Sequence, residues 1–454
     1  MLEKKRSRNE QKRTFPQKTK LFLLLGMMLA ANQTTADNGT VNAGSSLTTG
    51  PVSNSYSLSA ANNNPAMTSL VIGEEEKWRF SFLPNISFGV EVGDMNNFSD
   101  ELDELIAIID DPGSVSDSAQ EVLDRFNAVL IDMGESGYIK NSLNINAPFF
   151  PLFHKSDRIR GSMGLSINAQ AQLGLRVLDA PLSFDQQNST FSTSTSLYIK
   201  SGIEKSIAVS YSRPMFEHLS NRWGKIYGGV KLKLIQMELS KQLFTLHELE
   251  GKDVDEVIKD EYDANQKSTN NFGIDIGVVW ERDRYRAGLT IENINSPEFD
   301  YGTVGGDCTH LEEGTTARSN CEVTSSFVQE RGDIKGTETY TKHALARIDG
   351  LVHITPRWLV MSALDLAKYD DITGFENQWW HVATSYESGS WALPSVRVGY
   401  QKNLAGSKTS SAALGFTLFK GFTLDVEYGL ETVEVDGTSL PRRLGIAIGI
   451  EEQF

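Results

Sequence analysis

The stretch GSMGLSINAQAQLGLRV holds a two-residue period for longer than a strand of an ordinary globular protein. Met163, Leu165, Ile167, Ala169, Ala171, Leu173, Leu175 and Val177 take one face, and Ser162, Ser166, Asn168, Gln170, Gln172 and Arg176 the other. Such a run far exceeds the usual ~5–6 residues of a strand. The alternation returns in FGIDIGVVW, where Phe272, Ile274, Ile276, Val278 and Trp280 oppose Asp275 and Gly277. It returns again in YRAGLTIE, AALGFTL and FTLDVEYGL, the last setting Phe422, Leu424, Val426, Tyr428 and Leu430 against Thr423, Asp425, Glu427 and Gly429. In LYIKSGIEKSIAVSY the phase of Leu197, Ile199, Ile203, Ile207, Val209 and Tyr211 never slips at Gly202, which predicts one long strand.

Two architectures use strands of this kind. A β-sandwich turns its apolar face into a core, whereas a barrel in lipid turns it outward and lines its lumen with polar groups. Connection lengths separate them. Strands are expected near 78–93, 138–147, 160–177, 194–212, 225–240, 271–281, 284–295, 341–353, 357–366, 378–387, 393–401, 409–418, 421–430 and 443–453. That makes about fourteen, an even number as in bacterial single-chain barrels. With both termini in the periplasm, the long connections 94–137, 178–193, 241–270 and 296–340 all fall outside. The short turns ERDR (281–284), HITPR (353–357) and LFKG (418–421) fall on the opposite side. A sandwich has no reason for this parity, and an outer-membrane barrel does. The expected fold class is all-β, a transmembrane antiparallel barrel over 78–454.

The N-terminus points to the same compartment. Lys4, Lys5, Arg6, Arg8, Lys12, Arg13, Lys18 and Lys20 precede the apolar LFLLLGMMLAA (21–31) and the small-residue TTA before Asp37. This is the pattern of a secretory signal peptide over 1–36, with export to the outer membrane of a Gram-negative cell. The polar stretch 37–55 reads as a flexible mature start. At the other end Leu444, Ile446, Ile448, Ile450 and Phe454 resemble the assembly signal read by the barrel insertion machinery, with Glu452 out of phase. Expected partners are therefore outer-membrane lipid and that machinery. A formal charge of -16 argues against nucleic acid.

Within the external connections two features stand out. Cys308 and Cys321, the only cysteines, are expected to form a disulfide closing an external loop. A redox or metal pair is the alternative, with His310 as the one nearby extra ligand. The insertion 94–137 predicts an amphipathic helical hairpin: Phe98, Leu102, Leu105, Ile106 and Ile109 form one stripe, Val122, Phe126, Val129 and Leu130 another. Asp111-Pro112-Gly113 supplies the turn and Ser116 a cap. It serves either as packing on the rim or as a lid for an apolar ligand.

Charges on the inward phase, Arg176, Asp275, Glu292, Arg347, Asp349, Arg397, Asp425 and Glu427, are expected to pair across the interior, which implies a plugged or narrow channel. No nucleophile elbow or metal-ligand spacing occurs, so neither an enzyme, a cofactor nor a metal is expected.

Just ahead of the first strand lies YSLSAANNNPAMTSL (56–70). Its Asn-Pro-Ala step resembles the N-terminal hatch of FadL/TodX-type hydrophobic-compound channels. It resembles more closely the outer-membrane proteins of the plasmid-transfer-operon TraF type, which share an acidic helical insertion after strand one. They also share a YSRP element before a GGVKLK-like strand, here Tyr211–Pro214 and Gly228–Lys233. The resemblance implies a hatch within 56–77, centred on Asn62, Asn63, Asn64, Pro65 and Ala66. It leaves three functions open: a gated or plugged channel for a small hydrophobic ligand, an assembly component docking transfer-apparatus proteins, and a surface receptor or adhesin. Nothing in the chain resembles the thioredoxin-like periplasmic protein that shares the TraF name, since strands follow one another without alternating helices.

Overall fold

The computed structural model describes residues 41–73, 75–94, 104–105, 107–109, 118–216, 223–245, 259, 262–263, 265–419, 421–435 and 438–450. The signal peptide expected over 1–36, the turn at Asp111-Pro112-Gly113, Ser116 and the terminal Phe454 lie outside the described residues.

Fourteen antiparallel staves close into a barrel. They are β1 (Trp78–Phe80 and Ile86–Val92), β2 (Tyr138–Asn146 and Leu152–Ser156), β3 (Gly161–Leu178), β4 (Ser196–Met215), β5 (Lys225–Thr245), β6 (Lys267–Arg282) and β7 (Tyr285–Glu292). They continue with β8 (Leu345–Thr355), β9 (Trp358–Asp365), β10 (Trp379–Tyr386), β11 (Ser395–Asn403), β12 (Ser410–Leu418), β13 (Phe422–Gly429) and β14 (Arg443–Ile450). Each pairs with its neighbour in sequence, and the ring closes where Ile86–Glu91 of β1 pair with Arg443–Ile448 of β14.

Which face meets what is settled by exposure. Along β13, Val426 and Tyr428 are 45% and 52% exposed, whereas Thr423, Asp425 and Glu427 between them are at most 2% exposed. Ile207, Leu232, Ile276, Leu289, Val398 and Leu414 are likewise exposed on the outer surface. The apolar phase thus points away from the interior, the arrangement lipid demands and water would punish. Among the described residues no helix is long and apolar enough to cross a membrane.

The first strand is not the continuous 78–93 that its pattern suggests. Its ladder stops at 81–85, and β2 stops beside it at 147–151. Below the break Phe80 pairs Leu152; above it Ile86 pairs Ile145. On the far side of β2, the ladder with β3 resumes after only Ser166 and Ile167, so five residues of β2 oppose two. The surplus chain bulges, carrying Phe82, Leu83 and Phe149 to the surface, where the two phenyl rings meet edge to face at 5.4 Å.

β3, β4 and β5 are 18, 20 and 21 residues long, about twice what a tilted strand needs to cross a bilayer. Their external ends form a sheet with a helix on each face. Helix α3 (Ala119–Ser136) buries Val122, Phe126, Leu130 and Met133 against Val177, Leu182 and Phe191. It starts at a capping box of Ser118 and Glu121, not at Ser116. Helix α4 (Thr316–Gln329) packs Phe327 on Tyr198 and Leu243 of the inward face. The disulfide Cys308–Cys321, with Cα atoms 5.7 Å apart, ties α4 to the chain before it.

The orientation carries a direct test. Arginine at Ile276 or Val426, both lipid-facing, is expected to cost about 2–4 kcal/mol near the bilayer midplane. Thr423→Arg should be better tolerated, because Thr423 borders an inner cavity of about 170 Å³. Folding yield into lipid vesicles, read by heat-modifiable gel migration, checks this; equal losses on both faces would contradict the orientation.

Candidate functional site

The lumen is filled by the chain ahead of β1. Residues 41–55, expected to be a flexible start, are instead packed inside the barrel: α1 (Ser46–Thr49) is wholly buried, as are Val41, Pro51, Val52 and Ser53. The plug continues through α2 (Ser59–Asn63) and a single 3-10 turn (Pro65–Ser69). It therefore begins well before the hatch boundary at 56.

The segment circles the inner wall in order. Val41 and Leu47 pack on Ala447 of β14. The Thr48 hydroxyl donates to Asp425 of β13 (2.5 Å), and Gly50 lies over His381 of β10. Ser53 then donates its N–H (2.8 Å) and hydroxyl (3.0 Å) to Asp349 of β8, while Arg286 of β7 donates to the Ser53 carbonyl (3.0 Å). Lys231 of β5 donates to the Asn62 carbonyl. Thr68 and Ser69 exchange hydroxyl bonds with Ser210 and Ser212 of β4. Arg79, on the short lower piece of β1, finally clamps the carbonyls of Ser55, Tyr56 and Val71.

The five residues singled out by the resemblance sit at a tight contact with the wall. Asn64 is extended (φ -135°, ψ 114°), as a residue before proline should be, and its carboxamide oxygen caps Ala66 N–H at 3.0 Å. Pro65 opens the turn without an N–H to satisfy. Asn63 donates to Ser46 (3.3 Å), tying α2 to α1. This corner rests on Gly229 and Gly277, which are cross-strand partners in the β5–β6 ladder. A Cβ on Gly277 would stand 2.0 Å from Asn64 Oδ1, and one on Gly229 would stand 2.3 Å from the Pro65 carbonyl carbon. Of a second glycine pair, Gly89 and Gly445, the first lies directly under Val41, 1.9 Å from where a Cβ would stand, while Leu47 is 3.5 Å from the corresponding point at Gly445. Glycine in a strand interior marks such close approach of another backbone.

Around the plug most inward charges are paired; Asp349, also expected to pair with a cation, instead takes the Ser53 N–H and hydroxyl of the plug. Arg347 bridges Glu292 (2.8 Å) and Asp365 (2.7 Å), Arg397 holds Asp425 (2.9 Å), and Asp275 takes Lys233 (2.8 Å) and Lys231 (3.3 Å). Arg443 of β14 joins Glu91 of β1 to Glu427 of β13. Arg176, which the pattern also placed inside, lies at the upper rim and donates to the Thr373 carbonyl (3.2 Å).

Space remains on both sides of the plug. A vestibule of about 1460 Å³ opens beneath it, between Leu70 and Ile72 above and the short-turn end of the barrel at Asp157, Arg213 and Arg282. A polar cavity of about 60 Å³ lies between Asn62–Asn63 and the wall. Toward the exterior the loops fold inward, and Phe299, Tyr301, Tyr340 and Ile372 pack on Ile235, Met237 and Leu239 of β5. Tyr301 donates to the Ile372 carbonyl, and burial raises its hydroxyl pKa well above the ordinary value, so it stays a neutral donor. At the C-terminus Leu444, Ile446 and Ile448 face outward, and Ile450 ends β14 half-buried.

These features define a transmembrane β-barrel plugged by its own N-terminal segment. The family profile described as "F plasmid transfer operon, TraF, protein" matches residues 61–365, more than half of the chain, and the protein belongs to that family. No curated protein matches the sequence. Among solved structures it is similar to the TodX monoaromatic hydrocarbon channel ΔS2 mutant, at 10% identity over 92% of this chain and 100% of that one, TM-score 0.43. It is similar also to the Ralstonia pickettii toluene transporter TbuX (8% identity, 90% and 97%, TM-score 0.42) and to a Pseudomonas aeruginosa FadL homologue (10%, 92% and 98%, TM-score 0.35).

Proposed function

We propose that the protein is a non-catalytic outer-membrane channel, held shut by its N-terminal plug, that passes small hydrophobic compounds. The observation that carries this reading is the double interruption of the wall. β1 and β2 lose their ladder at one height, 81–85 and 147–151. Behind the break, Phe153 joins the apolar core of the plug formed by Leu58, Ala61, Met67 and Val71. In front of it stand the exposed Phe82, Leu83 and Phe149. An apolar solute crossing here keeps apolar groups on both sides and avoids the ion pairs of the charged stretches of the lumen wall. The apolar outer band and the leader-like N-terminus support an outer-membrane location.

The test restores the wall. Replacing 147–151 by two residues and removing two residues from 81–85 should let β2 pair continuously with both β1 and β3, and uptake of N-phenylnaphthylamine by proteoliposomes should then fall to the protein-free rate. Uptake unchanged by a repaired, folded wall would remove the break from the mechanism. Family membership favours one second reading, an assembly component of a conjugative transfer apparatus with the α3–α4 module as docking surface. Loss of partner co-purification on removing 94–137, with uptake intact, is the result that reading expects.

A further inference from the structure

Plug and wall enclose a second pocket, of about 170 Å³, at the short-turn end of the barrel. Asn54 and Tyr56 of the plug stand on one side, and Glu387 of the turn after β10 on the other; most of the remaining lining is serine and threonine. Two groups here are unmatched, one on each side. The Glu387 carboxylate accepts only the Ser385 hydroxyl (2.5 Å), and among the described residues no cation lies within ion-pair distance of it. Arg397, the one cation lining the pocket, is already held by Asp425 (2.9 Å) and Thr417 (2.5 Å). Arg357 lies beside Gly389 of the same turn, without pairing with Glu387. On the plug, Asn54 is 4% exposed and its Oδ1 accepts the Tyr56 N–H at 3.1 Å, which fixes the way its amide points. Its Nδ2 then has no acceptor in the protein, and it is open to the pocket rather than walled in.

We propose that this pocket binds a small free amino alcohol, a primary ammonium with a hydroxyl close by as in ethanolamine, and that the bound molecule holds the plug against the wall. Charge selects the ammonium. An unpaired carboxylate in a partly enclosed site attracts a cation more strongly than it would in water, and the serine and threonine oxygens around it can accept the other ammonium protons. A metal ion fits less well, because hard cations take several oxygen ligands and the Asn54 N–H groups would point at its charge. The same donor calls for an oxygen on the ligand, which the hydroxyl supplies. Size agrees, since the volume equals about five waters at ~30 Å³ each, enough for ethanolamine. Because the carboxylate belongs to the wall and the amide to the plug, the complete site exists only while the plug is seated. A ligand that binds one of two states stabilises that state by mass action. The site stands whether or not the channel passes hydrophobic compounds.

Saturation-transfer NMR on the purified mature barrel in dodecyl maltoside tests this, reading the methylene protons of ethanolamine. Ethylene glycol, which lacks the charge, and glycerophosphoethanolamine, the lipid headgroup whose phosphate would share the pocket with Glu387, are the controls. Transfer is expected to ethanolamine and to neither control. Glu387→Gln keeps the shape and the Ser385 bond and should abolish transfer. Thr423→Leu, which narrows the pocket from the wall, should do the same without changing a charge. Chymotryptic cleavage of the plug in moderate urea reads the second half of the proposal: ethanolamine at ten times its Kd should slow cleavage about tenfold in the parent and leave Glu387→Gln unaffected. Transfer that survives in folded Glu387→Gln, either control bound as well as ethanolamine, or no transfer to the parent protein would overturn the site, and binding without protection would overturn the lock. Neither readout measures uptake, so these failures are distinct from failure of the channel reading.

Discussion

Replacing Gly277 by leucine is expected to unseat the plug and leave the barrel standing. The Cβ alone would overlap Asn64 Oδ1 at 2.0 Å and Pro65 Cδ at 2.9 Å. Something must move, and the stiffness of the two sides decides what. The β5–β6 ladder runs unbroken from Lys225–Glu281 to Leu239–Lys267. The plug, by contrast, is built from helices of 4 and 5 residues and one 3-10 turn, too short to be stable without tertiary support. Overpacking by a side chain of this size costs about 1–3 kcal/mol in a core, as much as one plug hydrogen bond to a charged wall group returns. Chymotrypsin reads the result. Leu58 and Met67 are 0% exposed in the seated plug and should resist cleavage in the parent protein; in Gly277→Leu they should be cut while the barrel stays heat-modifiable. Current steps across a planar bilayer should appear in the same variant. Gly350→Leu is the control, because Gly350 lies on the outward phase of β8 and its nearest atom, the Arg286 carbonyl oxygen, is 4.0 Å away. A folded Gly277→Leu protein as resistant as the parent would show that this glycine pair does not seat the plug.

The barrel is legible in the sequence because lipid imposes a simple rule on it. Every second residue of a stave facing lipid must be apolar, and the run from Gly161 to Leu178 keeps that rule well past the length of a globular strand, while Ser196 to Met215 keeps its phase with Ser201, Lys205 and Arg213 as exceptions. The interruption of β1 is written there too. Pro84 falls inside the segment whose pattern suggests one strand, and Pro148 and Pro151 fall in the gap between the two parts of β2; a residue without an N–H cannot continue a ladder that needs one. The early plug is hidden for a different reason. Residues 41–55 are Ser, Thr, Asn and Gly with few apolar groups, a composition that usually means a chain unable to fold. That inference assumes an apolar core. Inside a barrel the core is polar, and Thr48 or Ser53 folds by meeting Asp425 or Asp349 rather than by burying hydrocarbon. The glycine sockets carry a weaker signal, since Gly229 and Gly277 sit on the inward phase of their strands, but their pairing emerges only once the β5–β6 register is known.

The second large effect is expected at the seam. Arg443 lies on the last stave and reaches across both neighbours, to Glu91 of β1 at 2.8 Å and to Glu427 of β13. The two carboxylates are 2% and 0% exposed, and their remaining bonds come from Tyr138 (2.8 Å) and Ser411 (2.5 Å). Arg443→Met keeps the length and removes the charge, so buried Glu427 keeps only the Ser411 hydroxyl, while Glu91 keeps the Tyr138 hydroxyl and the neighbouring Lys140 cation. Breaking a buried pair from one side costs about 3–5 kcal/mol, and here the loss falls on the contact that joins the final strand to the first. Arg443→Lys should recover part of this, because a single ammonium offers charge without the fork that serves both acceptors. Equilibrium unfolding in urea, followed in detergent micelles, measures each step. The decisive variant combines Arg443→Met with Glu91→Gln and Glu427→Gln. If the penalty is the uncompensated charge, neutralising both acceptors should restore most of the lost stability, since a buried ion pair replaced whole is close to neutral. If the triple variant is no more stable than Arg443→Met alone, the guanidinium matters instead through its packing on the Trp379 ring, 4.5 Å below it, and ring closure would not depend on the charge at all.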